Sequence, residues 1–243
     1  MRPLVTERQF RATYKLQKFA DRAISSGRVK FPVYPKPDLA KIASYLTFDG
    51  HLTTKGNVFL FTAGKRNQLS NFSNLVRKEL CCEGRTKKVQ TNLFGTSYEY
   101  RVFNKPVCRV LNIIGVPDGN KIITPFEVPD WIVNNEECSK AYLQAAFDCE
   151  GSVWKECHRL KVRFKIHKAA LFEDNALHFI NQLRSMLSVL EVETTQPWSV
   201  AGNTRKDGIR TKGYVFSIAS DSLQAFRDNV GFKLPEKRKL MGS

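Results

Sequence analysis

Two acidic residues, each followed directly by glycine, are the strongest candidates for chemistry in this sequence. The stretch IASYLTFDG ends at Asp49-Gly50, and LQAAFDCEG ends at Glu150-Gly151. Apolar residues at helical spacing precede each pair, so each carboxylate is expected at a helix C-terminus. The negative end of the helix dipole repels a carboxylate there. A bound cation offsets that repulsion, and Mg²⁺ is the natural candidate because it prefers oxygen ligands.

The two acid-glycine pairs belong to an internal repeat. The offset that places Asp49 on Glu150 also places Asp38 on Ser139. Both are good N-cap residues, so we expect one helix to begin at each of them in the same register. Two strand-like runs, a helical pattern, two further strand-like runs and an apolar helix follow in each half. The unit α-β-β-α-β-β-α therefore occurs twice, which predicts an α+β fold of two pseudo-symmetric repeats.

This repeat divides the chain into four segments. Residues 1-36 form an N-terminal extension with a basic helical pattern, and the first repeat spans 37-123. A linker interrupted by prolines follows at 124-137, and the second repeat takes 138-243.

Small residues line one face of each acid-bearing helix. Ala40, Ser44 and Thr47 are spaced i, i+4, i+7, and Ala141 and Ala145 repeat the stripe. Small side chains let two helix backbones approach closely, while the alternative is that each stripe faces its own sheet. We expect the two helices to pack side by side, so that their two acids form one magnesium pocket.

The charge of the chain favours a polyanionic partner. There are 39 Lys and Arg residues against 23 Asp and Glu, a formal net charge of +16. Nucleic acid is the common partner of so basic a protein. No apolar run approaches the ~20 residues needed to cross a bilayer, so a membrane partner is not expected. The six cysteines form no CxxC pair, which indicates reduced thiols in an intracellular protein rather than a zinc site.

Basic and polar residues cluster on the predicted strands and turns. In KECHRLKVRFK, Lys161, Arg163 and Lys165 share one strand face, and apolar residues share the other. A two-stranded ribbon of this kind fits the major groove of duplex DNA, while the alternative is a solvated sheet face. We therefore expect each half to form a four-stranded antiparallel DNA-binding sheet. DNA contacts are predicted at Arg85, Lys87, Lys88, Gln90, Asn92, Lys155, Lys161, Arg163, Thr195, Gln196, Arg205, Lys206, Arg210 and Lys212.

Together these features resemble the LAGLIDADG homing endonucleases, and specifically the single-chain, two-repeat type known from archaeal introns. IASYLTFDG and LQAAFDCEG look like degenerate copies of the nine-residue family motif. The segments FDGHL, IIGVPDGNK, VPDWI and VGFKLPEKRKL add to the resemblance, which begins at about residue 37. The motif copies also show departures. Thr47 replaces the first acid, and Ser44, Ala145 and the bulky Gln144 replace in part the more usual small residues.

The resemblance implies a monomeric, site-specific endonuclease that hydrolyses both strands of a duplex of roughly 20 base pairs and leaves short 3′ overhangs. Asp49 and Glu150 would be the Mg²⁺ ligands, with the backbone carbonyls of Phe48 and Cys149 facing the metal. Mn²⁺ would substitute for Mg²⁺, and Ca²⁺ would bind without supporting cleavage. A basic residue closes the second strand of each repeat in such proteins. Lys65 fits that role in the first half, and either Lys165 or Lys168 fits it in the second.

A non-cleaving protein of the same architecture is the alternative. It would be a regulator that binds DNA, or a maturase whose partner is an intron RNA. The chain neither starts with a nucleophile nor ends with His-Asn, so we expect a free-standing, intron-encoded protein rather than an intein fragment.

Overall fold

Two compact units make up the chain, Met1–Gly119 and Asn120–Ser243. The computed structural model describes residues 2–91 and 95–242. Each unit contains one four-stranded antiparallel sheet covered by helices, which confirms the predicted α+β architecture of two repeats. Within the described residues, none of the helices has the length and apolar character needed to cross a bilayer.

The N-terminal extension folds as part of the first unit. It contains α1 (Glu7–Ala12) and α2 (Gln17–Ser25). Phe10 of α1 is fully buried. The guanidinium of Arg109, in a later helix of this unit, lies 4.2 Å from the ring centroid of Tyr14 and fixes the extension in place.

The first repeat follows the predicted order, and its sheet has the strand order β1-β2-β4-β3. One face of the sheet is buried by Phe59, Phe61, Tyr100 and Val102, which alternate with more exposed residues along β2 and β4. The elements are α3 (Pro37–Thr47), β1 (Gly50–Thr53), β2 (Val58–Ala63), α4 (Arg66–Leu80), β3 (Arg85–Thr91), β4 (Gly95–Phe103) and α5 (Lys105–Ile113).

The second repeat has the matching strand order β5-β6-β8-β7. Its core is aromatic, because the ring of Phe147 lies within 6.3 Å of the rings of Phe164, Phe216, Phe226 and Phe232. The elements are α6 (Asp130–Val133), α7 (Glu136–Glu150), β5 (Gly151–Glu156), β6 (Arg159–Ala169), α8 (Glu173–Val189), β7 (Trp198–Thr204), β8 (Arg210–Ser217), α9 (Leu223–Asn229) and α10 (Pro235–Met241).

The predicted helix starts at Asp38 and Ser139 were wrong. α3 begins with Pro37, whose fixed φ suits the first helical position, so Asp38 lies inside the first turn. α7 begins three residues earlier than predicted, because the side chain of Asn135 accepts the amide hydrogen of Cys138 and caps the helix. Ser139 instead donates to the carbonyl of Ile132 at 2.7 Å.

The strand predicted over VETTQPWSV was also partly wrong. β7 begins at Trp198 and continues to Thr204, because Pro197 has no amide hydrogen to add to the ladder. Thr195 therefore precedes the strand, and its Oγ1 accepts the amide hydrogen of Ser217 at 3.0 Å. Gln196 lies in the same irregular stretch.

The predicted linker, residues 124-137, packs on the second unit. Its backbone is held by side chains of α8. The amide of Phe126 donates to Oδ1 of Asn175 at 3.2 Å, and the amide of Val128 donates to Oε1 of Gln182 at 2.9 Å. The linker includes the short helix α6 and runs directly into α7.

Candidate metal centre and nucleic-acid interface

The first motif acid lies just beyond the end of α3. The helix ends at Thr47, and the amide of Phe48 still donates to the carbonyl of Ser44 at 3.0 Å. Asp49 is exposed, and its backbone carbonyl accepts the amide hydrogen of Thr62 at 3.3 Å. The carboxylate therefore stands at the negative end of the helix, as the sequence predicts.

The second motif acid is the last residue of its helix. α7 runs through Glu150, and the amide of Gly151 donates to the carbonyl of Phe147. Glu150 is half-buried, whereas its counterpart Asp49 is exposed. The two acids thus occupy equivalent sequence positions in different local environments.

Glycine after each acid is required by a close approach between helix and strand. A Cβ atom on Gly50 would lie 2.7 Å from the carbonyl oxygen of Leu60 and 2.8 Å from the Cα of Leu46. A Cβ atom on Gly151 would lie only 2.4 Å from the carbonyl oxygen of Phe147. Neither position leaves room for a side chain, so the acid and the glycine form a single structural junction in each repeat.

Strand register identifies which basic residues correspond in the two repeats. The glycines that open β1 and β5 pair with Phe61 and Phe164. Lys65 and Lys168 each lie four positions beyond these phenylalanines, so they are equivalent. Lys165 matches a threonine of the first repeat instead.

The candidate lysines differ in accessibility. Lys168 is only 1% exposed. Its Nζ donates to the carbonyl of Thr124 and lies 4.0 Å from the ring centroid of Phe126. This burial lowers the pKa of Lys168 to about 8. Lys65 is exposed, and Lys165 is half-buried on the opposite face of β6 from Lys168.

A third acid, Asp148, was not among the predicted site residues, although the structure places it in the last turn of α7. It occupies the place of Thr47 and is 5% exposed. Its Oδ1 accepts the amide hydrogens of Lys233 at 2.9 Å and Leu234 at 3.2 Å. Burial raises the pKa of Asp148 to about 6, against the lowering effect of these hydrogen bonds. Its partners lie 85 and 86 positions away along the chain, so local sequence patterns do not reveal them.

The polar face of the first sheet carries Arg85, Lys87 and Arg101. Arg85 lies opposite Arg101, and Lys87 lies opposite Glu99. Glu99 accepts a hydrogen bond from Nε of Arg101 at 2.8 Å, so part of this positive charge is balanced. By strand alternation, Lys88 belongs to the helix-covered face, but its side chain is exposed.

Two predicted contacts of the first sheet are only partly described or not described. Gln90 lies in β3, where its backbone pairs with Thr96, but its side chain lies outside the described part of the structure. Asn92 lies outside the described residues.

The polar face of the second sheet has the alternation that the sequence predicts. Lys161, Arg163 and Lys165 alternate along β6 with buried apolar residues. The guanidinium of Arg163 lies 4.5 Å from the ring centroid of Trp154 on the edge strand β5, and Trp198 lies on β7, the opposite edge strand of the sheet. Sequence reasoning missed both tryptophans, although strand alternation places Trp154 directly opposite Lys161. Cations held against aromatic rings form a surface suited to nucleic acid.

The hairpin between β7 and β8 carries further predicted contacts, two of which are ion-paired. Nε of Arg205 lies 3.2 Å from the carboxylate of Asp207, and Nζ of Lys212 lies 2.7 Å from that of Glu173. The remaining predicted contacts in this unit are exposed; they are Lys155, Lys206 and Arg210.

The donor set of the motif ends fits a hard divalent cation. Across the part of the chain that the structure describes, there is no group of three or more His, Cys, Asp or Glu side chains suited to holding a metal. Carboxylates and backbone carbonyls are hard oxygen donors of the kind that Mg²⁺ prefers, and Mg²⁺ keeps several waters as further ligands.

Comparison with solved structures identifies the architecture. The homing endonuclease I-WcaI, solved bound to its DNA recognition sequence, superimposes with a TM-score of 0.55 and 11% sequence identity, covering 96% of this chain and 97% of that one. This chain has the two-repeat LAGLIDADG fold. Full-length DUF199/WhiA from Thermatoga maritima is a further match, with a TM-score of 0.51 and 12% identity over 88% of this chain and 62% of that one. The LAGLIDADG fold is therefore not confined to proteins named as endonucleases.

Curated relatives of this chain have names unrelated to one another. The tRNA-splicing ligase RtcB of Methanopyrus kandleri is 26% identical over 84% of this chain and 22% of its own length. The RNA polymerase subunit Rpo1N and the replication factor C small subunit of Methanocaldococcus jannaschii are each 28% identical, over 11% and 9% of their lengths. The chain thus spans about a fifth or less of these relatives. No family model matches the chain.

Proposed function

We propose that this chain is a site-specific, Mg²⁺-dependent endonuclease that cuts both strands of duplex DNA and leaves short 3′ overhangs. The observation that carries the proposal is the acid-glycine junction, which ends the motif helix in both repeats. The glycine at each junction has no room for a side chain. An acid at a helix C-terminus is unfavourable without a cation, so its recurrence in both repeats favours a metal-dependent role.

Asp49 and Glu150 are the proposed metal ligands, with the backbone carbonyls of Phe48 and Cys149 as further oxygen donors. When bound, Mg²⁺ stabilises negative charge on the phosphate and activates water. Mn²⁺ is expected to replace it, and Ca²⁺ to bind without supporting cleavage.

Of the three candidate lysines, Lys65 and Lys165 are better placed than Lys168 to stabilise charge on the phosphate. Their side chains are exposed and half-buried, respectively. The amine of Lys168 is buried and donates to the carbonyl of Thr124. An amine that is already used in this way must first leave its partner before it can contact DNA.

The basic sheet faces are proposed to bind the duplex. Lys and Arg side chains that contact phosphates position a protein on DNA, and those that contact base edges specify the sequence. Arg163 against Trp154 is the best-positioned cation of this kind, because the ring fixes the guanidinium. Because both repeats are on one chain, we propose that the protein acts as a monomer on a target of roughly 20 base pairs.

The curated relatives support a function separate from their own named activities. A ligase, a polymerase subunit and a replication factor share similarity to this chain over a small part of their lengths. A segment common to three proteins of unrelated function is best explained as a module with its own activity. Homing, in which an endonuclease promotes insertion of its own coding element, would explain that distribution.

A non-cleaving nucleic-acid-binding protein is the second candidate, and its partner is DNA or an intron RNA. The match to DUF199/WhiA, which is not named as an endonuclease, favours keeping this candidate. The two candidates differ in whether the proposed metal-binding acids support hydrolysis, and the second also allows an RNA partner.

The test is a selection from a randomised duplex library, first for binding and then for cutting. Wild-type protein should retain a specific sequence in Ca²⁺ and cut it in Mg²⁺ or Mn²⁺. Asp49→Asn and Glu150→Gln should bind the same sequence without cutting it. Selection of a specific duplex that is not cut with any of these metals would establish the second candidate instead.

A further inference from the structure

The segment after α9, which includes the VGFKLPEKRKL stretch, folds back over the end of α7. The carbonyl of Val230 accepts a hydrogen bond from Nε2 of Gln144 at 2.8 Å. Gln144, the bulky departure from the motif, is therefore directed at this segment. Further along, Lys233 and Leu234 donate their amide hydrogens to the carboxylate of Asp148.

Lys237 of α10 also contacts the end of α7, through its side-chain amine. Its Nζ donates to the carbonyl of Phe147 at 3.0 Å and to that of Asp148 at 2.6 Å. The same amine lies 5.4 Å from the ring centroid of Phe232, which is buried in the core. The lysine is half-buried, so its amine is held between the helix end and an aromatic ring.

Both carbonyls lie in the last turn of α7. That of Phe147 also accepts the amide hydrogen of Gly151, and that of Asp148 is among the last four carbonyls of the helix, which have no donor within the helix. A cation in this position satisfies the carbonyl oxygens and opposes the negative end of the helix dipole. The side chain of Asp148 anchors this turn by accepting backbone amide hydrogens of residues 233 and 234. The side chain of Lys237 anchors it by donating to the backbone carbonyls of the turn itself. The turn that ends in Glu150 is thus fixed at two independent points by residues 233–237.

We propose that Lys237 is a positioning residue for Glu150: it fixes the last turn of α7 so that the carboxylate is held in the direction needed to bind the metal. This inference rests on the proposed function, in which Glu150 is a metal ligand. Lys237 touches neither DNA nor metal in this role, and it acts through the backbone of residues 147 and 148.

The first test uses hydrogen exchange in the free protein and does not depend on cleavage. Lys237→Met keeps most of the side-chain volume but removes the donor. It should speed amide exchange of residues 148–151 by about tenfold, because the last turn opens more often. Lys237→Arg retains a cation that can reach both carbonyls and should stay close to wild type. Lys239→Met, an exposed lysine of the same helix, is the matched control.

The second test uses the DNA that the selection described above identifies. Lys237→Met should lower kcat about tenfold at saturating Mg²⁺ while DNA affinity stays within about twofold, the pattern of a residue that acts only on the chemical step. Lys237→Arg should restore most of the rate. A purely structural role would lower stability without this split between rate and affinity.

The possible failures are distinguishable. Unchanged exchange or unchanged kcat in Lys237→Met overturns the positioning role, and a parallel loss of DNA affinity would make Lys237 a DNA contact instead. A wild-type protein that cuts no DNA overturns the proposed function, and with it the reason for positioning Glu150. The exchange measurement then reports only whether the anchor exists.

Discussion

The two motif junctions carry the same acid-glycine pair but are supported in different ways. In the first repeat, the segment after α5 attaches to β1 and its turn: the carboxylate of Asp118 accepts the amide hydrogen of Thr54 at 3.0 Å, and the amide of Gly119 donates to the carbonyl of Leu52. In the second repeat, the segment after α9 attaches to the motif helix itself, through Asp148 and Lys237.

This difference shows that a repeated sequence motif does not imply a repeated environment. Asp49 is exposed beyond the end of its helix, whereas Glu150 is half-buried within the last turn. We therefore expect equivalent substitutions in the two repeats to have similar effects on chemistry but different effects on stability. The acid, glycine and lysine pairs below test that expectation, and the last pair compares DNA contacts on the two sheets.

The largest expected effect is on cleavage. Asp49→Asn and Glu150→Gln should each lower the rate by at least about 10²–10³-fold while leaving DNA affinity intact or improved, because each removes the charge of a proposed metal ligand. Only Glu150→Gln should raise the melting temperature of the free protein, because it removes a partly buried charge from a negative helix end. Cleavage rates and thermal unfolding curves measure both effects. A large loss of stability in Glu150→Gln would show that this acid is a structural group.

The glycine of each junction gives the next largest effect. Gly151→Ala should lower the free energy of unfolding by about 3 kcal/mol, and Gly50→Ala by somewhat less, because the added Cβ overlaps backbone atoms. The order follows the distances, 2.4 Å for Gly151 and 2.7 Å for Gly50. Urea unfolding measures the change. Gly64→Ala is the control, since its Cβ would meet nothing within 4 Å.

The equivalent lysines should differ in the pH dependence of stability. The folded-state pKa of Lys168, about 8, is below the ordinary value of 10.5. The unfolded chain therefore binds more protons between these pH values, and stability rises with pH across that window. Lys168→Met should add about 2 kcal/mol at pH 7, a gain that disappears near pH 10.5.

The control for this pair is Lys65→Met, which replaces an exposed side chain and should change the unfolding free energy by less than about 0.5 kcal/mol. Urea unfolding at pH 7 and pH 10.5 compares the two variants. If Lys168→Met retained the pH-dependent rise of the wild type, the buried amine would not be its source.

The smallest expected effects are on DNA affinity. Arg163 is fixed against Trp154, whereas Lys87 lies opposite the carboxylate of Glu99. Arg163→Ala should therefore cost about 1–2 kcal/mol of binding free energy and Lys87→Ala less than about 1 kcal/mol. Removing a cation that binds a phosphate should also reduce the salt slope of binding by about 1. Titrations at several salt concentrations measure both quantities. Equal losses of affinity would mean that Glu99 does not weaken the interaction of Lys87 with DNA.

Much of the fold follows from patterns that are local in sequence. The alternation Lys161, Arg163, Lys165 assigned one face of β6 correctly, and the repeat predicted the order of elements in both units. The same alternation, continued along β6, places Lys168 with buried Phe164 and Ile166. The burial of Lys168 was therefore predictable, but the alternation was applied to the basic residues only as far as Lys165.

The remaining features depend on contacts between distant parts of the chain. The partners of Asp148 are backbone amides more than 80 positions away, and a backbone donor leaves no signature in residue type. The start of α7 was misplaced because Asn135 and Ser139 are both acceptable caps, and only the surrounding structure decides between them.

The anchoring of α7 by residues 233–237 also has a consequence for synthesis. A ribosome adds Asp148 85 residues before it adds Lys233, whose amide hydrogen Asp148 accepts. During that interval the second junction lacks both of its anchors, while the first unit already has all of its own. A chain that stops before residue 233 would therefore contain the whole first unit but lack both anchors of the second junction.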